Sequence, residues 1–124
     1  MVRTILGIDP GTLSFGYSIV RQEDAKYTLL EKTIFQLNKI DDQIEKNKRI
    51  YNLLTELKST YNFDEIAIEQ PVFGKDPQSM LKLGRVLGCC IGFAIANNIP
   101  ICEYSPKNIK IRMLRRLQCA MRIM

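Results

Sequence analysis

The sequence predicts an α/β domain built on a five-stranded mixed sheet whose first three strands are antiparallel. Two observations lead there. Three β-rich stretches joined by very short links open the chain, as hairpins do. Two amphipathic or apolar helical stretches, each followed by a short apolar strand, come after them in the manner of parallel α/β units. The predicted order is β-β-β-α-β-α-β.

Thr4 to Asp9 is an apolar run ended by Pro10-Gly11, a buried strand meeting a turn. Gly16 to Val20 reads as the second strand, and Lys26 to Gln36, rich in Thr, Ile, Tyr and Phe, as the third. Residues 41–59 change period. Ile44, Ile50, Leu54 and Leu57 line one side, with Lys46, Lys48, Arg49 and Lys58 between them, and Asp41 or Asp42 is placed to cap the start. Glu65 to Glu69 is a compact strand stopped at Pro71. Residues 78–97 are apolar nearly all round, which predicts a largely buried helix. Gly84, Gly88 and Gly92 recur on it every four residues and would allow close packing against one face. Pro100 to Tyr104 supplies a fifth strand, ended by Pro106.

The chain has 124 residues, 46% hydrophobic and 25% charged, which suits one domain with a modest core. No apolar run is read as a membrane span and no signal peptide is seen, so a cytoplasmic location is expected. Four cysteines (Cys89, Cys90, Cys102, Cys119) sit in apolar surroundings without CxxC spacing, and the chain has no histidine. That speaks against zinc and for small buried hydrophobes in a reducing compartment. The net charge of +5 is unevenly spread: residues 1–105 hold 12 basic and 13 acidic residues, whereas the last 19 hold six basic and none acidic. Charge alone therefore does not establish nucleic-acid binding.

Two acids are singled out by position. Asp9 and Glu69 each end an otherwise apolar strand directly before a turn. If the strands are neighbours, both carboxylates emerge at one edge of the sheet. Hard divalent cations prefer such oxygen ligands, and paired carboxylates holding two ions can support phosphodiester cleavage. Strand-terminal acids also simply meet solvent or cap a turn, and spacing alone does not decide. The Asp9-Pro10-Gly11-Thr12 turn has a second reading as the phosphate-cradling turn of actin-like and sugar-kinase ATPases, which would need a second phosphate loop that is not visible here.

A longer pattern goes further. Ile5-Leu6-Gly7-Ile8-Asp9-Pro10-Gly11-Thr12 with Gly16-Tyr17 closely resembles the N-terminal motif of RuvC-type resolvases. Ile66-Ala67-Ile68-Glu69-Gln70, then Leu81-Lys82-Leu83-Gly84-Arg85 and Gly88, resembles their second acidic motif and its following helix. Glu103-Tyr104-Ser105-Pro106 with Lys107 and Lys110 resembles the next strand and its basic exit. The resemblance spans roughly residues 3–110. It implies an RNase H-like fold and a homodimeric Holliday-junction endonuclease of recombination and repair, which nicks four-way DNA junctions symmetrically with Mg²⁺ or Mn²⁺. Branch-migration helicases are implied as partners.

On that resemblance Asp9 and Glu69 are two of four metal-binding, catalytic acids. The loop after Glu69 would meet the branch point. The aromatic that stacks on a base there falls by count on Val72, with Phe73 beside it as the substitute. Lys75, Lys107 and Lys110 would contact phosphates, making affinity salt-dependent.

The resemblance stops near residue 110. The other two acids are expected on a final helix with an Asp-x-x-Asp arrangement, and no acidic residue follows Glu103. Residues 1–110 thus read as an incomplete resolvase core. Residues 111–124 read as an atypical basic tail, non-native in origin or an amphipathic helix. The expectation is a chain of nuclease lineage with impaired cleavage, whose alternative is a non-catalytic branched-DNA-binding module.

Overall fold

A computed structural model of the chain describes residues 1–70 and 76–104, Tyr104 by its backbone only. Seven elements follow in order: β1 (Val2–Asp9), β2 (Ser14–Glu23), β3 (Lys26–Gln36), α1 (Gln43–Tyr61), β4 (Glu65–Glu69), α2 (Pro77–Ala96) and β5 (Ile101–Tyr104). The strands form one sheet in the order β3-β2-β1-β4-β5. β1 and β2 are antiparallel, as are β2 and β3, while β4 runs parallel to both β1 and β5. The expected five-stranded mixed sheet is the one present. The tail at 111–124 lies outside the described residues.

Local chemistry accounts for the elements. The β2–β3 hairpin turns on two residues, Asp24 and Ala25, with Asp24 at φ 52°, the left-handed conformation such a tight link requires. Asp42 caps α1 by accepting from the Ile44 N–H at 3.0 Å, and Asn62 ends it at φ 48°. Asp76 caps α2 through the Ser79 N–H, with Pro77 in its first turn.

The core lies between one face of the sheet and the two helices. Leu6, Ile8, Phe15, Tyr17, Ile19, Ile66 and Ile68 from the strands meet Ile50, Leu53, Leu54 and Leu57 of α1 and Val86, Cys90, Phe93 and Ala94 of α2. The helices touch through Tyr51 and Phe93, edge to face at 5.3 Å between ring centres. Strand alternation sends the intervening residues to the opposite face, where Ile5, Ser18, Val20 and Ala67 are buried apart from that cluster.

Four expectations need correcting. α2 is not largely buried: Leu83, Val86, Cys90, Phe93 and Ala94 face the core, but Leu81 and Ile95 are 57% and 70% exposed. It is also long and apolar enough to cross a membrane by length and composition, contrary to the expectation that no run is, although its inner face is built into the core. On α1, Ile44 is exposed and Lys46 is buried, the reverse of the predicted stripe, because the buried face runs through 46, 50, 53, 54 and 57. Among the cysteines Cys90 is buried, Cys89 is half-buried and Cys102 is exposed at an edge strand, so a uniform buried role fails.

Candidate active site at the sheet edge

The register brings the two singled-out acids together. β1 and β4 are parallel with Gly7 beside Ala67 and Ile8 beside Ile68, so the next positions along, Asp9 and Glu69, end neighbouring strands at the same level. Adjacent strands lie about 4.8 Å apart. Ile8 and Ile68 both enter the helix-side core, so by alternation Asp9 and Glu69 share the opposite face. Asp9 is exposed and Glu69 half-buried.

Small residues surround them. Gly16 pairs with Asp9 across β1 and β2, and a Cβ there would sit 3.5 Å from the Asp9 Cβ. One row deeper on the same face, Gly7 lies between Ser18 and Ala67. The Ser18 hydroxyl is buried with no hydrogen-bond partner among the described residues. The turn after Asp9 is tight: a Cβ on Gly11 would come 2.1 Å from the Ser14 carbonyl oxygen. On the far side of Glu69, Gln70 donates to Glu103 at 3.0 Å and ties the end of β4 to β5. Glu103 stands beside Ile68, on the helix side, and so is turned away from Asp9 and Glu69.

Two other acids at the strand bases are taken up structurally. Asp64 accepts from the Thr4 N–H at 2.8 Å, and Glu65 pairs with Arg3 at 2.8 Å. Both lie at the opposite end of the sheet from Asp9.

Two carboxylates at strand spacing repel by roughly 1–3 kcal/mol at effective dielectric constants of about 80 to 20. A hard divalent cation between them reverses the sign, and an all-oxygen donor pair suits Mg²⁺ or Mn²⁺ better than a soft metal. Among the described residues no group of three or more His, Cys, Asp or Glu is gathered to hold a metal, so Asp9 and Glu69 are a two-ligand set. Phe73, Lys75, Lys107 and Lys110, with Val72, lie outside the described residues.

The profile of the family described as "Crossover junction endodeoxyribonuclease RuvC" matches residues 5–118. This chain belongs to that family. It is 45% identical over 109 residues to the crossover junction endodeoxyribonuclease RuvC of Christiangramia forsetii, covering 88% of this chain and 57% of that protein. It is 43% identical over 108 residues to the RuvC of Porphyromonas gingivalis, again 57% of that protein. The chain thus spans a little over half the length of these curated relatives.

Among solved structures, T. thermophilus RuvC in complex with Holliday junction substrate superposes with a TM-score of 0.77 at 26% identity, over 89% of this chain and 69% of that one. The yeast mitochondrial Holliday junction resolvase shares the fold, with a TM-score of 0.64 at 18% identity over 95% of this chain and 60% of that one. The RNase H-like resolvase fold expected from the motifs is the fold of this RuvC-family chain.

Two features of the site escaped the sequence reading. Lys46 was placed among solvent-facing charges, although it falls in phase with Ile50, Leu53, Leu54 and Leu57, the signal that would have found it. Ser18 gave no signal of its own beyond alternating with Tyr17 and Ile19.

Proposed function

We propose that this chain carries the junction-binding and metal-binding core of a structure-selective endonuclease that resolves four-way DNA junctions in recombination and repair by metal-dependent phosphodiester hydrolysis. The observation that supports this best is the placement of Asp9 and Glu69 side by side at one sheet edge, on the face away from the helices, in a RuvC-family chain. Asp9 and Glu69 are the proposed ligands for Mg²⁺ or Mn²⁺. The ion, when bound, would supply Lewis-acid polarisation and charge neutralisation at a scissile phosphate.

The chain's own residues prepare that role. Asp9 is exposed, and Gly16 beside it carries no side chain that would crowd an incoming phosphate. From the family resemblance, Phe73 is proposed to stack on a base at the branch point, and Lys75, Lys107 and Lys110 to contact phosphates. The same resemblance supports a cytoplasmic homodimer working with branch-migration helicases. The exposed side of α2, with Gly84, Gly88, Gly92, Leu81 and Ile95, is the surface proposed for the second copy.

The alternative is a module that binds branched DNA without cutting it. One experiment separates the two. A labelled four-way junction is incubated with the purified chain in Mg²⁺, Mn²⁺ or EDTA and resolved on native and denaturing gels. Symmetric nicking in metal that Asp9→Asn or Glu69→Gln abolishes supports the nuclease. A retarded but uncut junction in every buffer supports the binding module. Absence of any junction-selective binding would sink both.

A further inference from the structure

Lys46 is the one buried charged side chain among the described residues, 8% exposed at the end of the first turn of α1. Lysines are almost never buried this far without a partner. Its partner here is not a carboxylate: none of the ion pairs among the described residues includes it. Instead its Nζ donates to the main-chain carbonyl of Thr12 at 2.8 Å.

Thr12 sits in the four-residue link, 10–13, that carries the chain from Asp9 into β2. That link is fastened at a second point, where the Leu37 N–H donates to the Leu13 carbonyl at 2.9 Å. Gly11 lets it fold on itself so closely that no Cβ fits against the Ser14 carbonyl. Among the described residues the link therefore has one internal constraint and two external fasteners, of which Lys46 is the charged one. A charge-assisted hydrogen bond in a partly dry setting is stronger than a neutral one.

We propose that Lys46 is a positioning residue for the Asp9 carboxylate. It acts through the Thr12 main chain, holding the 10–13 link down on α1 and so fixing the direction in which Asp9 leaves β1. This rests on the reading of Asp9 as a metal ligand. Because the target is a backbone carbonyl, the role depends on the reach and donor capacity of residue 46, whatever side chain stands at 12.

The test uses the full ¹⁵N-labelled chain with two readouts. Amide exchange at Leu37 reports whether the link stays in place, since that N–H bonds to the link itself. Mn²⁺ binding followed by electron paramagnetic resonance reports ligand geometry. Lys46→Met keeps the apolar stem and removes the donor. It is expected to speed Leu37 exchange and weaken Mn²⁺ binding, each by about tenfold, as for loss of one hydrogen bond to a charged group. Exchange within α1 should stay unchanged, and Lys46→Arg should restore both readouts. If Lys46→Met does not fold, Lys46→Gln, one atom too short to reach the carbonyl, takes its place with the same expectation.

Asp9→Asn separates the two possible failures. If Mn²⁺ binding depends on Asp9 while the Lys46 variants change neither readout, the positioning role is overturned and the metal site stands. If Mn²⁺ binding is absent or indifferent to Asp9→Asn, the metal reading falls and the positioning role with it. If Lys46→Arg behaves like Lys46→Met, donation to Thr12 is not what the position requires, and the proposal is overturned.

Discussion

Three glycines on α2 give a test of which surface this chain leaves open. A Cβ added at Gly84, Gly88 or Gly92 would meet no atom of the described residues within 4 Å. With no steric cost, the change to alanine is governed by helix propensity, worth about 0.8–1.0 kcal/mol per position in a helix interior. The triple variant Gly84→Ala, Gly88→Ala, Gly92→Ala should therefore stabilise the isolated chain by about 2.5–3 kcal/mol, which raises Tm by roughly 10 °C for a domain of this size. Circular dichroism melts over a series of protein concentrations provide the measurement. A second copy seated on this face would reverse the outcome at high concentration: the methyl groups would hold the helices apart, and the wild type would gain stability with concentration while the variant would not. If the variant is less stable than the wild type even where both are monomeric, the inference that the glycine face is open in the folded chain is wrong.

The other expectations concern the turn, the α2 cap and the thiols. Gly11→Ala should destabilise by about 1–3 kcal/mol, as overpacking does, whereas Gly16→Ala should cost less than about 1 kcal/mol because its Cβ makes an ordinary contact with Asp9; equal urea midpoints for the two variants would contradict the geometry. Hydrogen bonds from the Ser79 N–H and hydroxyl hold the Asp76 carboxyl below its usual 3.8, so its contribution is present above that pH and lost as pH falls through the lowered value. The stability difference between wild type and Asp76→Asn should accordingly shrink only below pH 3.8, and a difference already fading at pH 6 would refute this. Burial, with Cys89 alongside, pushes the Cys90 thiol up to about 12, so mass spectrometry of chain alkylated at pH 8 should find Cys102 modified well before Cys90. Equal rates for the two would mean that α2 opens far more readily than its core face implies.

Much of the architecture was legible because local signals and tertiary demands agree. The short links around Pro10-Gly11 and Asp24-Ala25 leave the first three strands no option but hairpins. Glu65–Glu69 ends just before Pro71, and Lys26–Gln36 has the bounds its Thr, Ile, Tyr and Phe content gave it. α2 was misjudged because its apolar residues encircle the helix, and composition does not say which side meets the core. The contacts choose Phe93, which packs against Tyr51 and Phe63, and leave Ile95 outside. Lys46 was misjudged for the opposite reason: residue type outweighed phase, though its stem fits the apolar stripe and its ammonium finds the Thr12 carbonyl. At the site, the positions of Asp9 and Glu69 were readable, but their adjacency depends on β1 and β4 pairing in parallel, a long-range choice that neither strand encodes alone.

That pairing explains why the acids end up usable. In β1, Leu6 and Ile8 go to the helices, so Gly7 and Asp9 must go to the other face; in β4, Ile66 and Ile68 send Ala67 and Glu69 the same way. A slip of one residue in either strand would turn a carboxylate in among Phe15, Ile68 and Phe93 and expose an isoleucine. Burying an unpaired carboxylate costs far more than the roughly 1.5–3 kcal/mol gained by burying one aliphatic side chain. The core that holds the sheet to its helices is thus also what aims Asp9 and Glu69. Because Asp9 is exposed and Gly16 puts no side chain beside it, a phosphodiester has room to reach that carboxylate from the face away from α1 and α2. Substitutions at Ile8 or Ile68 should therefore act on the site through alignment, whereas substitutions at Gly16 act on it directly, by filling the space beside Asp9.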